Sequence, residues 1–188
     1  MSVWTFVIRH SSFVIFSLFM SATLHAKDAL TAGQLLQRMY DHLKPYVELA
    51  QRGHLSVARD PYEVVEQLGQ APGSFRCILL WSGEKMTDGT NRDSGIVTHE
   101  FLVTVSHNRG LSLISGASAF LPRNNDTAPL VTLHAAVRDK LRGMRFDDGV
   151  TDRILTYRGC DPVALDGKPI DAFTQTWNLT AILPPQIH

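Results

Sequence analysis

The sequence predicts an α+β domain: a mostly antiparallel sheet of about four strands, with two main helices packed on one face. Two kinds of periodicity predict it. Apolar residues recur at helical spacing over Leu35–Val47 and Leu130–Met144, and they alternate at strand spacing over His99–Val105 and Phe173–Ala181. The order supports it too, because helix, short helix, strand, strand, helix, strand, strand places strands side by side in pairs.

The first helix opens at Thr31-Ala-Gly-Gln34, the spacing of a capping box in which hydroxyl and amide satisfy orphan backbone donors. Leu35, Leu36, Met39, Tyr40, Leu43 and Val47 then form one stripe, leaving Gln37, Arg38, Asp41 and His42 outside. Pro45 predicts a kink or a restart. A short helix begins at Asp60-Pro61, with Asp as cap and Pro at the first helical position, and Val64, Val65 and Leu68 give it a small apolar face before Gly69.

Phe75 to Trp81 is apolar and lies between Pro72-Gly73 and Ser82-Gly83, so a buried central strand is predicted. The polar stretch Lys85 to Gly95 predicts a loop or hairpin tip, and Asn108 to Asp126, broken by Gly110, Gly116 and Pro122, predicts another. Leu130, Leu133, Val137, Leu141 and Met144 mark the buried side of the clearest helix, opposite Arg138, Asp139 and Arg142. Ile154 to Arg158 is a strand candidate, Asp166-Gly167 a hairpin turn, and Pro184-Pro185 ends the last strand.

The chain has 188 residues, which suits one domain at 27–188 behind an atypical segment at 1–26. Lys plus Arg equals Asp plus Glu at 18 each, so no net field attracts a phosphate backbone, and nucleic acid is not an expected partner. Cys77 and Cys160 lack zinc-site spacing. A bridge between them is conceivable after export, but Cys77 shares a strand face with Phe75, Leu79 and Trp81, and two reduced thiols are expected.

Two readings of the N-terminal segment stand side by side. Arg9 and His10, the apolar run Phe13 to Met20 and the small residues before Lys27 resemble a secretory signal, which would send the protein to the periplasm or outside. Against this, Val3 to Ile8 is apolar where a signal is basic, and Phe-Val-Ile occurs twice, at Phe6 and at Phe13. That pattern fits read-through from an upstream start, with Met20 as the initiator and a cytoplasmic protein. Arg-His-Ser-Ser breaks the run, so no membrane span is expected in the mature form.

Candidate chemistry is sparse. Ser82-Gly-Glu-Lys85 has the Ser-x-x-Lys spacing of penicillin-interacting acyl enzymes, with Ser106-His107-Asn108 as a faint second motif, but Ser82 closes a strand instead of opening a helix and no Lys-Thr-Gly follows. Gly116-Ala-Ser118 lacks the closing Gly of a nucleophile elbow. His99-Glu100 has no second His, and alternation sends the pair to opposite sides of a strand. His99 and His107 are expected as exposed or hydrogen-bonded imidazoles. Asp147-Asp148-Gly149 reads as a turn more readily than a cation site, and Asn178-Leu-Thr180 fits a glycosylation acceptor already explained by strand alternation. No catalytic group, metal or cofactor is expected, and the protein is expected not to be an enzyme.

The candidate interface lies on the last strand. Thr174, Thr176, Asn178 and Thr180 form an uncharged outward row suited to apposition against another subunit. Trp177 and Trp81 are candidate interface anchors, with core packing as the competing role.

Three stretches, taken together, resemble the tail-terminator or tail-completion proteins (minor tail proteins) of long-tailed bacteriophages and related contractile particles. They are the helix Leu35 to Val47 with the strand Phe75-Arg-Cys-Ile-Leu-Leu-Trp81; His99-Glu-Phe-Leu-Val-Thr-Val105 with its loop and the helix Leu130 to Met144; and Phe173 through Pro184. Element order and hydrophobic pattern carry the likeness. It implies a ring, commonly of six copies, that caps the tail tube, with the tube protein and the head–tail connector as partners. It also implies a virion location, and enzymatic activity is not implied. An export signal departs from that pattern, since virions assemble in the host cytoplasm.

Overall fold

A computed structural model describes residues 30–70, 75–86, 96–108, 130–146, 153–163, 165 and 170–182. The N-terminal segment, the loops expected at Lys85–Gly95 (beyond Met86) and Asn108–Asp126 (beyond Asn108), Gly116-Ala-Ser118, Asp147-Asp148-Gly149, Asp166-Gly167 and Pro184-Pro185 lie outside the described residues.

Helix α1 (Ala32–Lys44) starts as its sequence dictates: the Gln34 amide N–H donates to Thr31 Oγ1 at 3.3 Å and the Thr31 N–H to Gln34 Oε1 at 2.8 Å. Pro45 restarts the helix, as expected: the α-helix ends at Lys44 and a π-type segment, Pro45–Ala50, begins with the proline in its first turn, its exit marked by the Gln51 N–H donating five residues back to Tyr46 O at 3.0 Å. The wider turn accommodates a residue with no N–H while keeping Val47 in line with Leu35, Met39 and Leu43, all fully buried.

The sheet is mixed and has five strands, which corrects the expected antiparallel four. Its order is β1 (His54–Ala58), β2 (Phe75–Met86), β3 (Ile96–Asn108), β7 (Ile170–Ile182), β6 (Thr156–Val163), and β1 pairs parallel to β2 while the other pairs are antiparallel. No element was expected at β1 because five residues with polar His54 and Ser56 carry too little apolar pattern to stand out. Helix α2 (Pro61–Gly69) supplies the crossover that a parallel pair requires. Two further short strands, β4 (Arg145–Phe146) and β5 (Arg153–Ile154), make a separate antiparallel pair; the expected Ile154–Arg158 strand is thus split between β5 and β6.

Strand β2 runs past Trp81 to Met86, so Ser82-Gly-Glu-Lys85 is strand and not turn. Ser82 is the extra residue of a bulge, since Trp81 pairs with Phe101 and Gly83 with the adjacent Glu100. Gly83 takes φ +135°, a conformation that an L side chain rarely adopts.

Both main helices, α1 and α3 (Leu130–Leu141), lie on one face, as expected. The inner core joins Leu35, Met39, Leu43, Leu133, Val137 and Leu141 to strand residues of one parity, including Cys77, Leu79, Phe101, Val103 and Trp177. His42 Nε2 lies 2.8 Å from Lys140 O and ties α1 to the end of α3. Helix α2 sits on the other face, where Leu68 packs on Ala58 and Ile78, with Val64 and Leu165 alongside. Gln67 fastens it, bonding Ser56 Oγ at 2.6 Å and donating to Val57 O at 3.3 Å.

Cys77 is buried, Cys160 is exposed, and both thiols are free. Two strands separate β2 from β6, a gap of roughly 14 Å at ~4.8 Å per strand, far beyond the reach of a disulfide. Burial pushes the Cys77 thiol up to about 12.

Candidate functional site

Parity along β7 decides what each face offers. Thr174, Thr176, Asn178 and Thr180 point to the outer face, opposite Thr104, Leu102, Glu100 and Thr98 of β3. Cover there is uneven. At one end α2 and Leu165 close over Ile78, and Thr104 is buried with its hydroxyl 2.9 Å from that of Thr174. Toward the other end Thr176 and Asn178 are half-buried and Thr180 and the neighbouring Thr156 are exposed. Lys85, across β3 from this row, reaches the Glu100 carboxylate at 3.7 Å. The open end is therefore polar and nearly neutral.

Trp177 does not belong with that row. It has the opposite parity, its side chain is 0% exposed, and it meets Tyr157 edge-on at 5.1 Å with an interplanar angle of 62°. Trp81 behaves differently, remaining 38% exposed where the bulge ends the regular packing of β2.

Beneath Trp177 lies a polar connection that the sequence reading missed. Gln175 is fully buried; its Nε2 donates to the His134 backbone carbonyl at 2.9 Å, and its Oε1 accepts from the Trp177 indole N–H at 3.0 Å. One side chain thus locks β7 to α3 and satisfies the indole. The signal was available: an amide on the apolar parity between Phe173 and Trp177 must find partners on burial. The His134 ring packs on Phe173 at 5.3 Å, and burial together with the Arg138 charge holds its pKa below the ordinary imidazole value.

The residues singled out for chemistry are dispersed. Ser82 and Lys85 lie exposed on strand β2 about the bulge, without the helical turn that would align them. His99 and Glu100 do point to opposite faces, and His99 and His107 are both buried, which removes the exposed one of the two states expected for them. They face inward because they share the parity of Phe101, Val103 and Val105; His99 lies between Trp81 and Phe101, with Nδ1 3.6 Å from Glu84. Among the described residues no three His, Cys, Asp or Glu side chains are grouped to hold a metal ion, and no helix is long and apolar enough to cross a membrane.

A groove of about 640 Å³ opens between the end of α3 and strands β5 and β6, with Arg138, Arg142, Ile154, Leu155 and Tyr157 in its walls. Burial raises the Tyr157 hydroxyl to about 12, aided by its hydrogen bond with Cys160, so it stays protonated at neutral pH.

No protein-family model matches the chain, and no curated protein matches it. Among solved structures, a chain of the virion of a native gene transfer agent particle is similar in fold. The TM-score is 0.52 at 17% sequence identity, and the match covers 81% of this chain and 98% of that one.

Proposed function

We propose that this protein is a non-enzymatic structural subunit of a phage or prophage tail, forming a ring that terminates the tail tube and contacts the head-side connector. The observation that carries the reading is the likeness in fold to a chain of a gene transfer agent virion, which spans nearly all of that chain. The placement of the residues singled out for chemistry supports it, because among the described residues Ser82 and Lys85 lie apart along strand β2 and no three His, Cys, Asp or Glu side chains are grouped to hold a metal ion. In this reading the outer row of β7, covered toward Thr174 and open toward Thr176, Asn178 and Thr180, meets a neighbouring virion protein. Hydroxyl and amide groups without net charge lose little on desolvation when a partner supplies hydrogen bonds.

Co-expression with the tail-tube protein of the same particle tests this. Electron microscopy should show tubes closed at one end by a ring and halted in length. Tubes that grow without limit and carry none of this protein would remove the reading.

A further inference from the structure

His134 touches β7 twice. Its backbone carbonyl accepts from Gln175 Nε2 at 2.9 Å, and its imidazole lies 5.3 Å, centre to centre, from the Phe173 ring. The residue is 9% exposed, and its Nε2 is buried with no hydrogen-bond partner among the described residues. A neutral imidazole can keep its proton on the other nitrogen and leave Nε2 as an unused acceptor. A protonated ring carries an N–H on both nitrogens, and the one at Nε2 then meets no acceptor there.

Among the described residues, the groups around the imidazole do not welcome that proton. On α3 itself Arg138 stands one turn on with a like charge, and it engages Asp139 at 3.1 Å. On β7, Gln175 Oε1 already accepts from the Trp177 indole. Asp171 lies two residues before Phe173 on the same parity, opposite His107 of β3, and both have interactions of their own. On β6, Tyr157 and Cys160 bond each other, and on α1 His42 is tied to Lys140 O at 2.8 Å. Attraction of a cation to the Phe173 ring acts the other way, but burial and the Arg138 charge outweigh it. The ring also has little room to turn out alone, since Leu130 and Val137 on either side of it along α3 are fully buried and χ1 in a helix has few usable wells.

We infer that His134 is an acid-sensitive latch between α3 and β7: neutral, it seats the helix on the sheet, and a proton on its ring releases the Phe173 contact and with it the Gln175 tie. The helix then loosens while the ladder of β2, β3 and β7 stays closed, because backbone pairing does not titrate. The latch is shut above the ordinary imidazole value of 6.5 and opens as pH falls below it, the sense that a lowered folded-state pKa requires. Arg138 and Arg142 in the wall of the groove beside β5 and β6 move with the helix. None of this depends on the ring reading.

Hydrogen–deuterium exchange of the full-length protein tests it, at about pH 7.5 and about pH 5, on either side of the ~6.5 reference, with each rate divided by that of an unstructured chain at the same pH. Wild-type peptides from α3 should lose protection roughly tenfold in acid, while peptides from β2 keep theirs. His134→Phe and His134→Gln take up no proton at this position, so α3 should stay protected at both pH values; the two are measured together so that one which melts early is replaced by the other. Equal protection of wild-type α3 at both pH values would overturn the inference, as would variants that loosen in acid as much as wild type. A loss spread evenly over α3 and β2 would also overturn it, since that is unfolding of the whole domain and not the release of one helix.

Discussion

The two faces of the sheet are covered in different ways, and the difference separates what holds the fold from what is left for assembly. The inner face is closed by α1 and α3, and its strand residues Cys77, Leu79, Phe101, Val103 and Trp177 are fully buried. Among the described residues the outer face has α2 over β1 and β2, and the rows on β3 and β7 pass from buried at Thr104 to exposed at Thr180. Alternate residues of a single strand, β7, thus differ in their work: Gln175 and Trp177 join the sheet to α3, while Thr176 and Asn178 lie half-buried on the outer face. Stability belongs to one parity, and the other is the contact face proposed above.

The contrast is sharpest for Trp177→Ala set beside Thr176→Ala. Losing the buried indole should cost about 3–5 kcal/mol by urea denaturation. A comparable loss from the threonine would break the comparison.

Gln175→Ala comes next. It should cost about 1–3 kcal/mol, because the Trp177 N–H loses its acceptor in the interior and the His134 carbonyl loses a donor. If Gln175→Ala were neutral, the buried connection would not be holding α3 to the sheet.

A smaller effect should follow from pH. The folded-state pKa of His134 lies below the ordinary imidazole value of 6.5, so the unfolded chain binds the proton more readily. Its contribution to stability is present above that value and is lost as pH falls below it. Melting curves between pH 7.5 and 5, a range taken around the ~6.5 reference, should show His134→Phe with a shallower acid decline than wild type. An identical decline in the variant would mean that His134 is not titrating in that window.

The smallest expected change is the most informative about the outer face. Thr176→Ala should leave monomer stability within about 0.5 kcal/mol, while weakening association with the tail-tube or connector protein in pull-down.

The helices were legible in the sequence because each declares itself locally. Thr31 and Gln34 cap α1, Asp60 and Pro61 open α2, and their apolar stripes repeat at fixed spacing. What was not legible depends on distant residues. Strand β1 forms on the strength of its pairing with β2, and the continuation of β2 through Ser82-Gly83 depends on β3 lying alongside to absorb the bulge. The outward row of β7 follows from alternation alone, and the same rule places Trp177 on the inner face. The groove at the end of α3 joins segments separated along the chain, and no local pattern marks it. His99 and His107 share the parity of Phe101 and Val103, and that parity, which the sequence shows, carries both into the interior.

The central claim meets its most direct test in the mass of the full-length chain by light scattering, alone and with its tail-tube protein. A closed assembly of several copies, six by the family resemblance, is the predicted result in at least one of the two samples. The mass of one chain in both would contradict it.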